Sequence, residues 1–371
     1  MSHMKPLQVA VQVLFLMAAA AQAPAQAPAG SNNASNNTSS SDAPELNLVI
    51  TTTNIIAPVL VTDRSGNIID GLQPHQFHLY DNNKEQNIQV DVAFEPLSVV
   101  VAIEAAARVE AILPQVKHLG SLLPLIVGDH GEAAIMAFDS RLRVMQDFTT
   151  DPDKLKAAID KINAGNSSSR MIDAVESAVY MLNKRPKDNR KIILLVSETR
   201  DVASEGRLRE SLMTANFANV VVYCVDITQL ATRLTEKAPP PRPNPIDVTA
   251  QQPVGGNPPT PTTDSQSYGP SQMQFAPLLM EIYRDTKRIF VDSPSEVFAK
   301  GTGGAEFSFV KQKGLEDAVQ RISQEIRSQY LISYNPSNKE ETGFHTISVT
   351  LDNPRYVTKT RPGYWIGGGK Q

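Results

Sequence analysis

Hydrophobic and polar positions along the chain change rhythm twice. From Leu46 to Phe94, short apolar runs rich in β-branched residues are separated by turn residues: Leu48-Val49-Ile50-Thr51, then Val59-Leu60-Val61, then the turn Asp63-Arg64-Ser65-Gly66-Asn67. Phe77-His78-Leu79-Tyr80 alternates before the turn Asp81-Asn82-Asn83. Ile88, Val90, Val92 and Phe94 then recur at every second position, which predicts antiparallel strands with one buried face. At Leu97 the rhythm becomes strand followed by helix. Val99-Val100-Val101-Ala102-Ile103, Ile192 to Val196 and Val220 to Val225 are unbroken apolar runs, the pattern of parallel strands buried on both faces. Val109, Ile112, Leu113, Val116 and Leu119 recur at helical spacing, with a kink expected at Pro114 unless the helix starts later than Val109. Leu155 to Ile162, Met171 to Leu182 and Glu205 to Phe217 predict further helices, and Ala133 to Phe138 with Leu142 to Phe148 a pair of strands. Helices are also predicted over Pro277 to Asp285 and Gly314 to Ser328, with a strand at Ala305 to Val310 between them. Gly301-Thr302-Gly303-Gly304 reads as a helix-to-strand turn. After Gln329 the alternation returns in Tyr330 to Tyr334, His345 to Leu351 and Tyr356 to Arg361.

Strand-helix alternation implies a parallel sheet covered by helices. The few strands at each end cannot stand alone. The economical arrangement is an α/β fold, a doubly wound and mostly parallel sheet over 96–328, inserted in a small antiparallel β-domain made by both ends of the chain, 45–95 and 329–366. Residues 367–371 read as a tail. Residues 236–274 hold ten of the 26 prolines and read as a disordered insertion, a tolerated loop extension rather than a proline-rich ligand. Before the β-domain, Lys5 precedes an apolar stretch from Leu7 to Ala21 too short to span a bilayer comfortably, so 1–29 reads as a signal peptide cleaved near Gly30, the alternative being an uncleaved membrane anchor. Residues 30–44, nearly all Ser, Asn, Ala, Thr and Pro, read as a flexible linker.

Composition narrows the function classes. With 35 basic against 39 acidic residues among 371, the chain lacks the basic balance that phosphate backbones require, and nucleic acid is excluded as an expected partner. Cys224, alone in the chain, lies in an apolar run and reads as a buried strand residue. There is no Gly-x-Ser-x-Gly, His-Glu-x-x-His or phosphate loop, and the six histidines are scattered. The expectation is a non-enzyme without cofactor that binds another protein. The alternative is a structural part of an envelope assembly that makes contact through the β-domain or the proline-rich insertion, ahead of a divalent-cation-dependent adhesin or a cryptic enzyme assembled from distant residues.

The segments Val61-Thr62-Asp63-Arg64-Ser65-Gly66, Gly71-Leu72 and Phe77-His78-Leu79-Tyr80-Asp81 in front carry a family resemblance, as do Ile326 to Tyr334 and Arg361-Pro362-Gly363-Tyr364-Trp365 behind. Together with the α/β core between them, they make the chain after Pro44 resemble exported von Willebrand factor type A-related proteins of the acidobacterial type. The resemblance implies a ligand-binding rim at the carboxyl edge of the sheet. In that family a metal-ion-dependent adhesion site there holds a divalent cation through Asp-x-Ser-x-Ser, a Thr and a second Asp. Here Glu104 falls on the first Asp, Ala106 and Arg108 on the two Ser positions, Ser169 on or near the Thr, and Glu198 on the second Asp. Magnesium wants short oxygen ligands at tight octahedral geometry. An arginine brings a fixed positive charge and no acceptor. The degenerate site is therefore expected to hold no metal, with Arg108 paired to Glu104 and Glu198. The weaker alternative keeps a cation on Glu104, Ser169 and Glu198. Asp139 and Asp201 nearby are expected to be solvated loop charges.

Overall fold

The computed structural model describes residues 54–92, 96–198, 200–228, 279, 282, 293–308 and 312–366. The described residues belong to one compact unit, Leu48–Gln371. The segments read as signal peptide, linker and tail, the strand at Leu48 to Thr51, Phe94 and the proline-rich insertion lie outside them, as does nearly all of the helix expected over Pro277 to Asp285.

The chain enters through β1 (Ile55–Thr62), β2 (Phe77–Asp81), β3 (Lys84–Glu85) and β4 (Ile88–Val92). It then runs through the α/β part: β5 (Leu97–Glu104), α1 (Leu113–Lys117), α2 (Leu119–Val127), β6 (Glu132–Phe138), β7 (Leu142–Thr149), α3 (Pro152–Asp160), α4 (Met171–Asn183), β8 (Arg190–Ser197), α5 (Leu208–Phe217), β9 (Val220–Asp226), α6 (Pro294–Thr302), β10 (Glu306–Ser308) and α7 (Gln312–Ser328). It closes with β11 (Tyr330–Tyr334), β12 (Gly343–Leu351), β13 (Val357–Lys359) and β14 (Gly363–Ile366).

Among the described residues the α/β sheet has six strands in the order β10-β9-β8-β5-β6-β7. All neighbours are parallel except β6 and β7. Every residue of β5 is buried, because the two faces of the strand serve two cores. Val99, Val101 and Ile103 pack with Leu113, Leu123, Ile159 and Ile322 of α1, α2, α3 and α7. Val100 and Ala102 pack with Val175, Leu212 and Phe298 of α4, α5 and α6. Fully burying an aliphatic side chain contributes about 2 kcal/mol, so the unbroken apolar runs are what hold these strands at the centre.

Two local features differ from the sequence expectation. Pro114 does not kink one long helix: the apolar run divides into a 3-10 turn, Ala107–Ile112, followed by α1 and α2, and Pro114 sits in the first turn of α1. Its missing N–H is harmless there, since that position has no intrahelical acceptor. Helix α6 was given no range from the sequence, although the helix-to-strand turn at Gly301 to Gly304 implied a helix before it. Ser293 caps it by accepting the Glu296 N–H, and Gly303, at φ +88°, closes it in the left-handed conformation. A Cβ at Gly304 would meet the Val222 carbonyl oxygen at 2.0 Å, so the chain passes into β10 only without a side chain.

The end segments pair with each other. Two four-stranded antiparallel sheets, β13-β1-β11-β4 and β14-β12-β2-β3, each combine strands from before and after the α/β part. Val59, Leu79, Ile332 and Val349 meet in their common core. Inside it lies a polar network. Asp81 Oδ2 accepts hydrogen bonds from Tyr334 at 2.9 Å and Tyr364 at 2.6 Å, and Oδ1 accepts one from Asn338 at 3.1 Å. His345 Nδ1 stands 2.7 Å from Asp81 Oδ1, and its Nε2 stands 2.8 Å from the Glu341 carbonyl oxygen. Both ring nitrogens face acceptors, an arrangement that favours the doubly protonated imidazolium. Burial pushes its pKa down, but the Asp81 hydrogen bond and the Glu341 carbonyl outweigh that and hold it above the ordinary 6.5.

Candidate functional site at the carboxyl edge of the sheet

Parallel neighbours bring their carboxyl ends to one edge. Ile103 of β5 stands beside Val196 of β8, so Glu104, the last residue of β5, arrives next to the chain leaving β8 at Ser197 and Glu198. The Glu198 N–H donates to Glu104 Oε2 at 2.9 Å. Beyond β5 the backbone is pinned on both sides, with the Ala105 N–H donating to the Phe138 carbonyl at 2.7 Å and the Ala105 carbonyl accepting from Gly165 at 2.7 Å. The 3-10 turn beginning at Ala107 then carries Arg108 back over the strand end.

Arg108 lies between the two carboxylates. Its Nη2 is 3.1 Å from Glu104 Oε1 and its Nε is 2.7 Å from Glu198 Oε2. Nη2 also donates to the Arg200 carbonyl at 3.4 Å. The Glu104 side chain is fully buried, while Arg108 and Glu198 keep 30% and 16% of theirs exposed. Burial raises the Glu104 pKa above the ordinary carboxylate value, against the opposing pull of the Arg108 charge and the Glu198 N–H. The structure thus brings Glu104, Arg108 and Glu198 into direct contact.

It does not bring in the other two rim positions in the same way. Ala106 is buried and offers no side-chain ligand. Ser169 is buried, and its carbonyl accepts from the Val202 and Ala203 N–H groups, while its hydroxyl has no hydrogen-bond partner among the described residues.

The expectation that Asp139 and Asp201 are solvated loop charges is corrected. Asp139 is buried at 4% exposure, salt-bridged to Arg143 at 2.9 Å and accepting the Arg141 N–H at 2.8 Å. A Cβ on Gly165 would clash with it at 1.8 Å, which leaves only glycine at that position. Asp201 accepts the Met171 N–H at 2.8 Å and the Ser204 hydroxyl at 2.7 Å, so it caps the start of α4 from a loop distant in sequence. No local capping residue precedes Met171, and this role had no sequence signal.

The donor set can be tested against a divalent cation. Both Glu104 oxygens already accept hydrogen bonds, and a guanidinium stands between the carboxylates where a dication would need to sit. Ala106 and Arg108, which the resemblance aligned with hydroxyl positions, offer no side-chain oxygen. The residues present do not fit the cation. Among the described residues no group of three or more His, Cys, Asp or Glu side chains converges as a metal site.

Further along the same edge, Glu306 on β10 carries a different environment. Burial first, then the neighbouring Asp226 and Glu296 charges, push its pKa up to about 7. Ser295 donates to it at 3.2 Å.

Residues 103–200 match the family model described as von Willebrand factor type A domain. No curated protein matches the chain significantly. Among solved structures, the chain is similar to an aerotolerance-related membrane protein from Bacteroides fragilis carrying multiple mutations to serines, at 12% identity and a TM-score of 0.38, covering 62% of this chain and 99% of that one. It is also similar to the conserved hypothetical protein BatB from Bacteroides thetaiotaomicron, at 14% identity and a TM-score of 0.31, covering 35% of this chain and 66% of that one. A third likeness is to proximal thread matrix protein 1 from the mussel byssus, at 14% identity and a TM-score of 0.32, with 38% of each chain covered.

Proposed function

We propose that the α/β part is a non-catalytic protein-interaction module that needs no metal, and that its contact face is the carboxyl-edge rim around Glu104, Ala106, Arg108, Ser169 and Glu198. The observation that carries the reading is Arg108 bonded to both Glu104 and Glu198, a permanent cation in the place of an exchangeable one. The match of residues 103–200 to a type A domain supports an interaction module. The surroundings of the cluster suit protein contact: Arg200 is exposed, and Val202 keeps 60% of its surface open, an apolar group beside partly exposed arginines. The N-terminal pattern of Lys5 and the apolar stretch to Ala21 supports export, in keeping with the resemblance to exported proteins of the acidobacterial type. None of the described helices is long and apolar enough to cross a membrane.

Titration calorimetry with magnesium is the direct test. No saturable binding is expected, and thermal unfolding is expected to be the same with and without chelator, because a cation that does not bind the folded state cannot stabilise it. Saturable binding that disappears in Glu104→Ala would overturn metal independence. For the contact face, cross-linked partners of the full chain are expected to survive deletion of 236–274 and to be lost in Val202→Asp. The reverse result would move the contact to the insertion.

A further inference from the structure

At the corner of the sheet where β9, β10 and α6 meet, polar groups gather on one face. The parallel register sets Glu306 opposite Cys224 and Ser308 opposite Asp226. Glu306 and Asp226 therefore stand diagonally on the same face, the one that α6 covers. Asp226 is buried; its Oδ2 accepts the Ser308 hydroxyl at 2.9 Å and its Oδ1 the Thr228 N–H at 2.8 Å. Glu306 Oε1 accepts the hydroxyl of Ser295, the second residue of α6, at 3.2 Å. The Ser295 carbonyl accepts the Cys224 thiol at 3.2 Å, and the Ser295 hydroxyl oxygen stands 3.1 Å from that of the capping residue Ser293.

The two ends of α6 are held by different chemistry. At its last turn the Thr302 hydroxyl accepts the Val222 N–H at 2.9 Å and donates to the Phe298 carbonyl at 2.7 Å. Just beyond, the Cys224 N–H donates to the Ala305 carbonyl at 2.9 Å. None of these groups titrates near neutral pH. At its first turn the link to β10 runs through the Glu306 carboxyl. The charged and titratable groups facing that carboxyl, among the described residues, are Asp226 and Cys224 of β9 and Glu296 and Lys300 of α6. Lys300 pulls against the three acids from its place on Glu296, at 2.6 Å. Helix α7, which also packs on β10, lies on the opposite face with Phe307. Two ionised carboxyls in one buried corner repel each other, and a proton on one of them removes the repulsion.

We propose that Glu306 is a proton-controlled latch: protonated, it holds the first turn of α6 and the strand β10 against β9, and ionised beside Asp226 it lets them open while the Thr302 end of α6 stays fixed. Burial first, then the Asp226 and Glu296 charges, place its titration at about 7, so the latch works across neutral pH. The closed form favours the protonated carboxyl. Closure is therefore strongest below the ordinary 4.5 and weakens as pH rises through 7. Opening uncovers Cys224, which is 1% exposed when the latch is closed, and the outer edge of β9. Asp226 and Ser293 lie on either side of residues 229–292 in the sequence, so the latch acts where the chain leaves the sheet and where it rejoins it. It is separate from the rim around Glu104 and stands or falls independently of it.

Hydrogen exchange of the full chain, corrected for the intrinsic pH dependence of exchange, measures the opening. Protection of 293–298 and 305–308 is expected to fall roughly tenfold between pH 6 and pH 8, the linkage of one carboxyl that titrates at about 7 closed and 4.5 open, while β5 keeps its protection. Glu306→Gln is expected to remove that pH dependence. In the unaltered protein, Cys224 labelling by a thiol reagent, divided by the rate for the urea-unfolded chain at the same pH, is expected to rise over the same interval. The proposal is overturned if protection of α6's first turn and β10 stays constant from pH 6 to pH 8, or if β5 loses protection in parallel. It is equally overturned if the pH dependence survives in Glu306→Gln, or if the corrected Cys224 labelling rate does not rise.

Discussion

At the carboxyl edge of the sheet, Glu104 is sealed while its partner Arg108 keeps 30% of its side chain open to solvent; in the β-domain, Asp81 and His345 are both sealed, at 0% and 1%. Each cluster pairs a buried carboxylate with a cation, and each supplies that carboxylate with further donors. Their surroundings give them different roles. The guanidinium is a permanent charge that a partner can reach. The imidazolium can lose its proton but can reach nothing outside the core. Under the proposed function the rim cluster would offer its charge to a partner at any ordinary pH, whereas the β-domain cluster joins β2, β11, β12 and β14 through groups whose charge depends on pH.

The largest effect is expected on breaking the clasp. Asp81→Asn removes the charge facing a sealed imidazolium and an acceptor for two tyrosine hydroxyls, and is expected to cost about 4 kcal/mol in urea unfolding. The pH dependence of that cost follows from the two shifts. Burial pushes the Asp81 carboxyl up, but hydrogen bonds from His345, Tyr364 and Asn338 outweigh it and hold the group below its ordinary 3.8. His345 is held above its ordinary 6.5. The clasp's contribution is therefore whole between those values, falls as pH drops through the depressed carboxyl value, and falls as pH rises through the elevated imidazole value. A cost that stays constant into alkaline solution would remove the distinction between the clusters.

A smaller effect is expected at the rim. Arg108→Met leaves Glu104 buried without its cation, at a cost of about 2 kcal/mol, reduced from the fully buried case because the arginine is partly solvated. Adding Glu104→Gln should restore more than half of the loss, because the uncompensated charge is then gone; chemical denaturation of the single and double variants measures the coupling. Additive losses would show that the two side chains do not act as a pair.

The smallest effect sharpens the comparison with a carboxylate on which burial and acidic neighbours outweigh the one cation acting on it, Lys300. Glu306 is pushed from 4.5 up to about 7, so its ionised form is disfavoured by folding and the stability it contributes is lost as pH rises from 4.5 through 7. Glu306→Gln is expected to raise stability by about 1 kcal/mol above pH 7 and to change nothing below pH 4.5. A thermal unfolding series across that range checks it, and a destabilisation at pH 8 would contradict the sign.

Most of the α/β architecture was legible because burial on two faces demands long apolar runs, as in Val99 to Ile103 and Ile192 to Val196, and such runs are hard to mistake. The antiparallel pairing of the chain ends followed from strands that could not stand alone. The extent of helix α6 was not legible, though its closing turn was, because its apolar positions, Val297, Phe298 and Ala299, are consecutive rather than spaced in helical steps, its cover coming from packing against β9. For Pro114 the sequence left two readings, a kink or a later helix start, and the structure takes the second, because only packing decides whether a proline sits inside a helix or starts one. At the rim, the placement of Glu104, Arg108 and Glu198 came from the resemblance, whereas the engagement of Asp139 and Asp201 carried no local signal.

What the sequence determined by itself is the order of the elements, which of them are central, and the types of charge placed at their ends. Periodicity and apolar content act over a few residues and are written directly in the chain. Which charges meet was decided only by the tertiary structure. Asp81 and His345 are joined across 264 positions by the register of β2 against β12, and Arg108 meets Glu198 because two parallel strands end side by side. A single slip in either register would leave those groups buried without partners, so the fold and its charge pairs specify each other.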